Sequence, residues 1–211
     1  MFLALVTVWW HNGFGSDDGD WQFWPRVSVE GRLFGRWKIY FEEELRNRDD
    51  MSERYFYRTI LGIGTAITPW LFVQANYKHS YVKSGGLWIE EQRPHVDVTA
   101  SWKLGSFSFK DRNRFEFRMF REKENSQTYR NALTITPPVN ITSFQIQPYL
   151  TEEIFIHLNQ KEIVRYRIYV GLRGKIQKQI GMEIYAMLQR DDRDVLWQDT
   201  NVMGTKLKIL L

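Results

Sequence analysis

Charged side chains recur at every second position along several stretches of the sequence. The clearest stretch contains Arg112, Arg114, Glu116 and Arg118, with phenylalanine at positions 115 and 117. Because successive side chains of a strand point to opposite faces of a sheet, this spacing collects the charges on one face. On that face, an arginine guanidinium can bridge a carboxylate through two parallel hydrogen bonds. The spacing therefore predicts a network of ion pairs along one face of a β-sheet.

The predicted network draws on the polar faces of most of the strands that we expect. Its members are Glu42, Glu44, Arg46, Arg58, Arg112, Arg114, Glu116, Arg118, Arg130, Glu153, Arg165, Arg167, Arg173 and Glu183. These side chains either line a positively biased pore for small anionic solutes or form a satisfied polar core. We favour the polar core, because small barrels are commonly filled by their own side chains.

The histidines give little support to a catalytic site. The spacing His-x-Ser, which would place a base beside a hydroxyl nucleophile on one face of a strand, does not occur. His79 and Ser80 are adjacent and must point to opposite faces, whereas His95 and Asp97 share a face without a nucleophile. No phosphate loop, zinc spacing or calcium loop is present. We therefore predict no catalytic residues, no metal site, no cofactor and no enzymatic activity.

The elements that carry these charges are predicted to be strands. Apolar and polar residues alternate with a period of two through most of the chain, and helical periodicity is nearly absent. The segments are roughly ten residues long, which at a tilt near 40° spans the roughly 25 Å apolar band of an outer membrane. We predict an all-β fold, namely a closed antiparallel transmembrane up-and-down β-barrel.

Composition is compatible with this fold and excludes several others. The 211 residues fit a single domain, in which residues 1–19 are either a first strand and loop or the remnant of a signal peptide. No apolar run is long enough for a membrane helix, and the absence of cysteine excludes a disulfide scaffold. The net charge of +4 is too small to indicate nucleic-acid binding.

The connections between the segments suggest the number of strands. Short connections are expected at residues 34–36, 68–69, 105–106, 137–142 and 175–179, and longer ones at residues 47–54, 83–92, 121–128, 157–162 and 190–200. Short periplasmic turns that alternate with longer external loops are typical of outer-membrane barrels. Eleven strands are visible, and an even number requires one more, for which residues 2–10 have the right length. We predict twelve strands; the alternative is an odd-numbered barrel.

Tryptophan is unusually frequent, with nine residues in the chain. Trp37, Trp70 and Trp102 lie near the predicted periplasmic ends of strands, and Trp21 lies near an external end. Tryptophan is enriched at the two interfaces of a membrane, where its ring meets lipid and its N–H meets water. These four residues are therefore predicted to belong to an aromatic girdle.

Two residues do not fit the alternation. Asp111 and Asn113 fall on the predicted outward face, where a charge in contact with lipid is costly. Either a β-bulge shifts the register of this strand or the assignment of its faces is locally wrong.

Several segments resemble a family of bacterial outer-membrane β-barrel proteins that is uncharacterised and classed as a domain of unknown function. The matching segments are DWQFWPRVSVEGRLFGRWKIYFEEELR at residues 20–46, DRNRFEFR at 111–118, PYLTEEIFIHLN at 148–159 and YRIYVGLRGKI at 166–176. The resemblance implies a barrel in the outer membrane of a Gram-negative cell. The family carries no known activity, so the resemblance adds nothing about chemistry.

The sequence therefore predicts a non-enzymatic, porin-like integral protein of the bacterial outer membrane, either a narrow channel or a structural component. Its expected partners are outer-membrane lipid, lipopolysaccharide and small anionic solutes, with no nucleic acid. Two alternatives stay open. One is a lipid-modifying outer-membrane enzyme, and the other is a soluble β-barrel that binds a ligand.

Overall fold

The fold was obtained as a computed structural model that describes residues 18–121, 124–141, 145–193 and 196–211. These residues form eleven strands that close into one barrel. The strands are β1 (Asp20–Phe34), β2 (Trp37–Arg48), β3 (Glu53–Thr68), β4 (Leu71–Ser84), β5 (Leu87–Leu104), β6 (Phe107–Phe120), β7 (Ser126–Thr136), β8 (Gln147–His157), β9 (Glu162–Gln177), β10 (Ile180–Arg193) and β11 (Leu196–Leu210). No helix within these ranges is long and apolar enough to cross a membrane.

The barrel closes through a parallel pair. Each strand pairs antiparallel with the next along the chain, and β1 then pairs parallel with β11, from Asp20 opposite Thr200 to Glu30 opposite Leu210. An odd number of strands joined by hairpins can close only in this way. The described residues thus form eleven strands instead of the predicted twelve. The predicted strand at residues 2–10 lies outside the described residues, and β11 already occupies the edge of β1 that it would need.

The barrel has two mouths. The upper mouth is the end where β1 begins at Asp20, and the lower mouth is the end where β1 finishes at Phe34. The predicted contrast between short lower turns and long upper loops holds only in part. Four of the lower turns have two residues each, at positions 35–36, 69–70, 105–106 and 178–179, but residues 137–146 form a longer lower connection. At the upper mouth, β4 and β5 are joined by Gly85 and Gly86 alone, both at positive φ.

Strands replace most of the upper loops because they extend further than the alternation indicates. β5, for example, is 18 residues long and begins at Leu87. Near the upper mouth the side chains are polar on both faces, as at Glu90 and Glu91, so the periodic signal disappears although the strand continues.

The two faces of the barrel have opposite polarity. Large apolar side chains point outward and are exposed, as at Leu61, Val170 and Ile184. The buried side chains include many charged ones, such as Glu44 at 1% and Glu153 at 2% exposure. A water-soluble barrel would bury its apolar side chains and expose its charges.

One wall of the lumen is apolar. Trp24, Tyr149, Tyr185, Met187 and Val202 form a buried cluster on β1, β8, β10 and β11. Glycines make room for its rings. A Cβ atom at Gly204 would lie 2.1 Å from Cζ of Tyr185, and one at Gly171 would lie 2.6 Å from Cζ of Tyr149. The two tyrosine rings therefore occupy the space that a side chain at Gly204 or Gly171 would need.

Replacing Gly204 by alanine is expected to lower the free energy of unfolding by about 1–3 kcal/mol, because the new methyl group overlaps the Tyr185 ring. Chemical denaturation of the folded barrel measures the change. Gly181→Ala is the matched control on β10, since its Cβ would meet no atom closer than 3.6 Å. Equal stability of the two variants would contradict the close approach of Tyr185 to Gly204.

Candidate functional site

The candidate site is the lumen. It encloses a cavity of about 1010 Å³ that extends from Gln22 and Arg48 near the upper mouth to Lys110 and Lys208 near the lower mouth. Its walls carry charged side chains from strands on every side of the barrel. Alternate residues of each strand point inward, and the strands surround a single lumen. The charged side chains at the inward positions therefore share that lumen.

The first group of ion pairs, which we call the Glu44 cluster, comprises Glu42, Glu44, Arg26, Arg46, Arg58 and Lys206. Carboxylate oxygens of Glu44 lie 2.5 Å from Nε of Arg46, 2.8 Å from Nη2 of Arg58 and 3.3 Å from Nε of Arg26. Glu42 accepts from Arg58 at 2.9 Å and from Nζ of Lys206 at 2.7 Å. Four cations therefore surround two carboxylates across β1, β2, β3 and β11.

The second group, the Glu153 cluster, comprises Glu116, Glu153, Arg93, Arg112, Arg114, Arg130 and Arg167. Glu153 lies 2.5 Å from Arg112, 2.7 Å from Arg130 and 3.4 Å from Arg167. The same Arg130 reaches Glu116 at 2.8 Å, and Glu116 also meets Arg93 at 2.8 Å. Arg130 therefore links the two carboxylates, and the cluster spans β5 to β9.

Further ion pairs continue from these clusters. Glu91 binds Arg93 at 2.6 Å and Arg118 at 2.7 Å, and Lys78 lies 3.5 Å away. Asp97 receives two parallel hydrogen bonds from Arg114, at 2.5 and 2.8 Å. Arg165 pairs with Asp191. The two parallel hydrogen bonds between Arg114 and Asp97 fix the plane of the guanidinium group, so Arg114 has little freedom to move out of the lumen.

Aromatic rings hold several of the arginines in place. The guanidinium carbon of Arg46 lies 3.5 Å from the ring centroid of Trp24 and 4.3 Å from that of Phe56. Arg130 and Arg167 lie 4.2 and 4.7 Å from the ring of Phe155. Stacking on a ring stabilises a guanidinium and covers the face that water would otherwise contact. The side chains that line the middle of the cavity are consequently held in place by both ion pairs and aromatic rings.

The fourteen residues of the predicted network point into the barrel, and all except Arg173 and Glu183 lie in ion pairs. Sequence reasoning missed further members, namely Arg26, Lys78, Glu91, Arg93, Asp97, Asp191 and Lys206. The alternation of apolar and polar residues predicts the inward positions of four of them, namely Arg26, Lys78, Asp97 and Lys206. Glu91 and Asp191 were assigned to loops because polar residues flank them.

His95 and His79 lie in different environments. His95 is buried in the lumen, but Asp97 binds Arg114, and Nδ1 of His95 lies 3.2 Å from the backbone oxygen of Arg93. Ser80 is buried on the inner face, as its adjacency to His79 predicts. His79 points outward, with Nε2 at 2.9 Å from Oε1 of Glu90. Thr59 lies directly across the ladder from His79 and donates to Glu43 at 2.7 Å.

The residues that did not fit the alternation form an outward polar patch. Asp111 and Asn113 share a face with Phe109 and Phe115, and β6 pairs with β5 and β7 without a register shift. The predicted bulge is therefore wrong, and the assigned faces are right. Nδ2 of Asn131 donates to Asp111 at 2.6 Å, and Tyr129 donates to Asn113. These hydrogen bonds reduce the cost of polar groups on an apolar surface.

The tryptophans of the predicted girdle lie near the ends of the barrel. Trp21 is near the upper mouth, and Trp37, Trp70 and Trp102 are near the lower mouth. Trp21, Trp70 and Trp102 are exposed, and Trp37 is half-buried. Sequence reasoning missed Trp88 and Trp197, which are exposed near the upper mouth, because both lay in segments assigned to loops.

The chemistry of the lumen is electrostatic. Within the part of the chain that the structure describes, no group of three or more histidine and acidic residues could hold a metal ion. Cations outnumber carboxylates in both clusters, so the lumen has a positive bias despite its ion pairs. Such an arrangement can attract, hold or pass anions.

One family model matches the chain. It is described as a protein of unknown function, DUF2490, and the match covers residues 21–200, from the second residue of β1 into β11. This match confirms the similarity to an uncharacterised family. No curated protein and no solved structure matches the chain.

Proposed function

Because this chain belongs to the DUF2490 family, whose function is unknown, we propose a function from its barrel alone: an integral protein of the bacterial outer membrane with a narrow, anion-preferring lumen. The protein is non-enzymatic in this proposal. Its lumen either passes small anions slowly or serves as a rigid polar core in a structural component.

The inverted polarity of the barrel is the observation that carries the proposal. Apolar side chains cover the outward face while ionised groups fill the interior, as at Val170 and Glu153. Exposing so much apolar surface to water would cost about 25 cal/mol for each Å². Lipid removes this cost, and a closed barrel leaves no unpaired strand edge inside a bilayer.

The lengths of the strands fit the same environment. They range from 11 residues in β7 to 18 residues in β5. A tilted strand needs about 9–11 residues to cross the hydrocarbon core, so every strand is long enough. The additional residues project beyond the apolar band, which accounts for the charges on both faces near the upper mouth.

Folding into a membrane is tested by heat modifiability. The refolded full chain in detergent is expected to migrate differently on gels before and after boiling, because a closed barrel resists the detergent until it is heated. Identical migration, together with a monodisperse monomer in detergent-free buffer, would contradict the proposal and favour a soluble binding protein.

Conduction is tested in planar bilayers. The purified barrel is expected to give small currents with a chloride-to-potassium permeability ratio above unity, because lumen cations outnumber lumen carboxylates. Ala132→Glu, an inward substitution beside the Glu153 cluster, should lower this ratio. A cation preference would contradict the electrostatic argument. If a well-folded preparation gives no channel currents, the channel function is rejected and the structural role is the one that stays.

A second candidate function is hydrolysis of lipid esters at the outward face. Thr59 and Glu43 are hydrogen-bonded there, and the His79–Glu90 pair lies beside them. A carboxylate that accepts a hydrogen bond from a hydroxyl can take its proton, and a histidine lies across the ladder from this hydroxyl. Release of fatty acid from purified lipopolysaccharide, lost in His79→Ala and retained in His157→Ala, would support this function. No release by the folded barrel would remove it.

A further inference from the structure

The lower part of the lumen differs from the middle because several of its cations lack carboxylate partners among the described residues. We call this region the lower vestibule and define it by five inward-facing residues: Lys38, Lys110, Arg173, Lys206 and Lys208. Each lies within a few residues of the lower end of its strand. Lys38, Lys110, Lys206 and Lys208 line the cavity directly.

Lys110 is the centre of this region. It is exposed to the lumen, and no ion pair or hydrogen bond involves its ammonium group among the described residues. Lys110 lines the same cavity as Arg112, Lys206 and Lys208. A cation held among cations creates a strongly positive potential in a space that is open to small solutes.

The other vestibule cations are only partly compensated. Lys208 lies 2.7 Å from Glu30, and Lys206 belongs to the Glu44 cluster. Arg173 donates to the hydroxyl of Thr136 at 2.7 Å, and Lys38 lies 5.8 Å from the ring centroid of Phe72. These two cations have no carboxylate within ion-pair distance in the described part of the chain.

The carboxylates nearby are few and already engaged. Glu30 pairs with Lys208, and Glu183 accepts a hydrogen bond from Tyr149 at 2.6 Å. Lys206 is paired with Glu42 in the same way. Five vestibule cations against Glu30, Glu42 and Glu183 leave an excess of two positive charges. In the middle of the lumen, by contrast, Glu44, Glu116 and Glu153 each lie within ion-pair distance of three cations.

We propose that the lower vestibule is a binding site for a multivalent phosphoryl anion. Lysine ammonium and arginine guanidinium groups are the side chains that bind phosphate oxygens best. An excess of two positive charges matches a multivalent anion better than chloride. This site deepens the proposed function, since the anion would enter the lumen through the lower mouth.

The phosphoryl group could belong to a soluble anion or to a lipid headgroup. The inward position of Lys110 and Lys38 favours a soluble anion, because a headgroup would have to leave the bilayer plane to reach them. The Glu44 and Glu153 clusters line and narrow the cavity above the vestibule. We therefore expect the anion to bind in the vestibule before any passage through the barrel.

Calorimetric titration of the detergent-folded full chain with inorganic pyrophosphate tests the site. Lys110→Gln is expected to weaken binding at least tenfold, and Lys38→Gln should weaken it to a smaller extent. Lys161→Gln is the matched control, since Lys161 is exposed in the β8–β9 turn at the upper mouth. Removing Lys110 takes away no partner, so the variant should keep the heat-modifiable fold.

Vesicles distinguish the two sources of the phosphoryl group. A soluble ligand predicts equal pyrophosphate binding in phosphatidylcholine and phosphatidylglycerol vesicles. Loss of binding only in phosphatidylglycerol would assign the same site to a lipid headgroup. In both cases the native chain binds pyrophosphate in phosphatidylcholine vesicles, and the site is supported if Lys110→Gln abolishes that binding.

Three results would overturn the proposal: no pyrophosphate binding, equal binding by Lys110→Gln and the native chain, or equal weakening by Lys110→Gln and Lys161→Gln. The last result would show that net charge alone attracts the anion. Titration needs no current, so a barrel that does not conduct can still bind pyrophosphate, and a conducting barrel can fail to bind it.

Discussion

Replacing Glu153 by glutamine is expected to lower the free energy of unfolding by about 3–5 kcal/mol, the cost of breaking a buried ion pair from one side. Glu153 is 2% exposed and contacts Arg112, Arg130 and Arg167. Without its charge, three arginines converge on a neutral amide in the middle of the lumen. Arg130 keeps only Glu116 as a carboxylate partner. Urea denaturation of the barrel folded in detergent measures the change.

The adjacent residue provides the control. Glu152 is exposed on the outward face, opposite Leu133 and Ile168 in the ladder. Glu152→Gln removes the same charge from the same strand, and we expect unchanged or slightly higher stability. If both variants lost stability equally, the ion pairs of Glu153 would contribute nothing specific, and the lumen would behave as a loosely solvated channel.

Replacing Val170 by arginine is expected to cost about 2–4 kcal/mol when the barrel is folded in phosphatidylcholine vesicles. Val170 is 60% exposed and lies near the middle of β9, on the outward face. At this depth a guanidinium must displace lipid, and the carboxylate of Glu152 is not directly opposite it in the ladder. Denaturant-induced unfolding from the vesicles gives the free energy.

A second arginine substitution, near the end of a strand, is the control for depth in the membrane. Leu104 is 70% exposed on the outward face at the end of β5, near the lower mouth. Leu104→Arg should cost only about 0–1 kcal/mol, because the charge reaches the interface. If the outward face were in water instead, both arginine variants should remain within about 0.5 kcal/mol of the native chain. A neutral result at Val170 would therefore reject the membrane proposal and favour a soluble barrel.

The outward polar patch shows where sequence reasoning was right and its explanation was wrong. The alternation placed Asp111 and Asn113 outside, and a bulge was expected because an isolated charge there is costly. The register is regular, and Asn131 and Tyr129 supply the hydrogen bonds instead. The partners come from β7, and nothing in the sequence of β6 identifies them.

By itself, the sequence determined the type of element and the face of most side chains. The period of two is a local property, so the inward position of Glu44, Glu153 and the arginines follows from their neighbours along the chain. It also predicted that charges of both signs would share the interior. Where both faces become polar, as at Glu90 and Glu91, the same signal fails and strands are mistaken for loops.

Only the tertiary structure decided how the barrel closes and which charges meet. Pairing of β1 with β11 joins the two ends of the described chain, and no local pattern encodes a contact between Asp20 and Thr200. Arg112 on β6 reaches Glu153 on β8, whereas Lys110, two residues away, has no ion-pair partner in the described part of the chain. Alternation places both side chains inside, but the stagger between neighbouring strands sets the depth at which each one meets a partner. That depth separates the ion-paired middle of the lumen from the partly compensated lower vestibule.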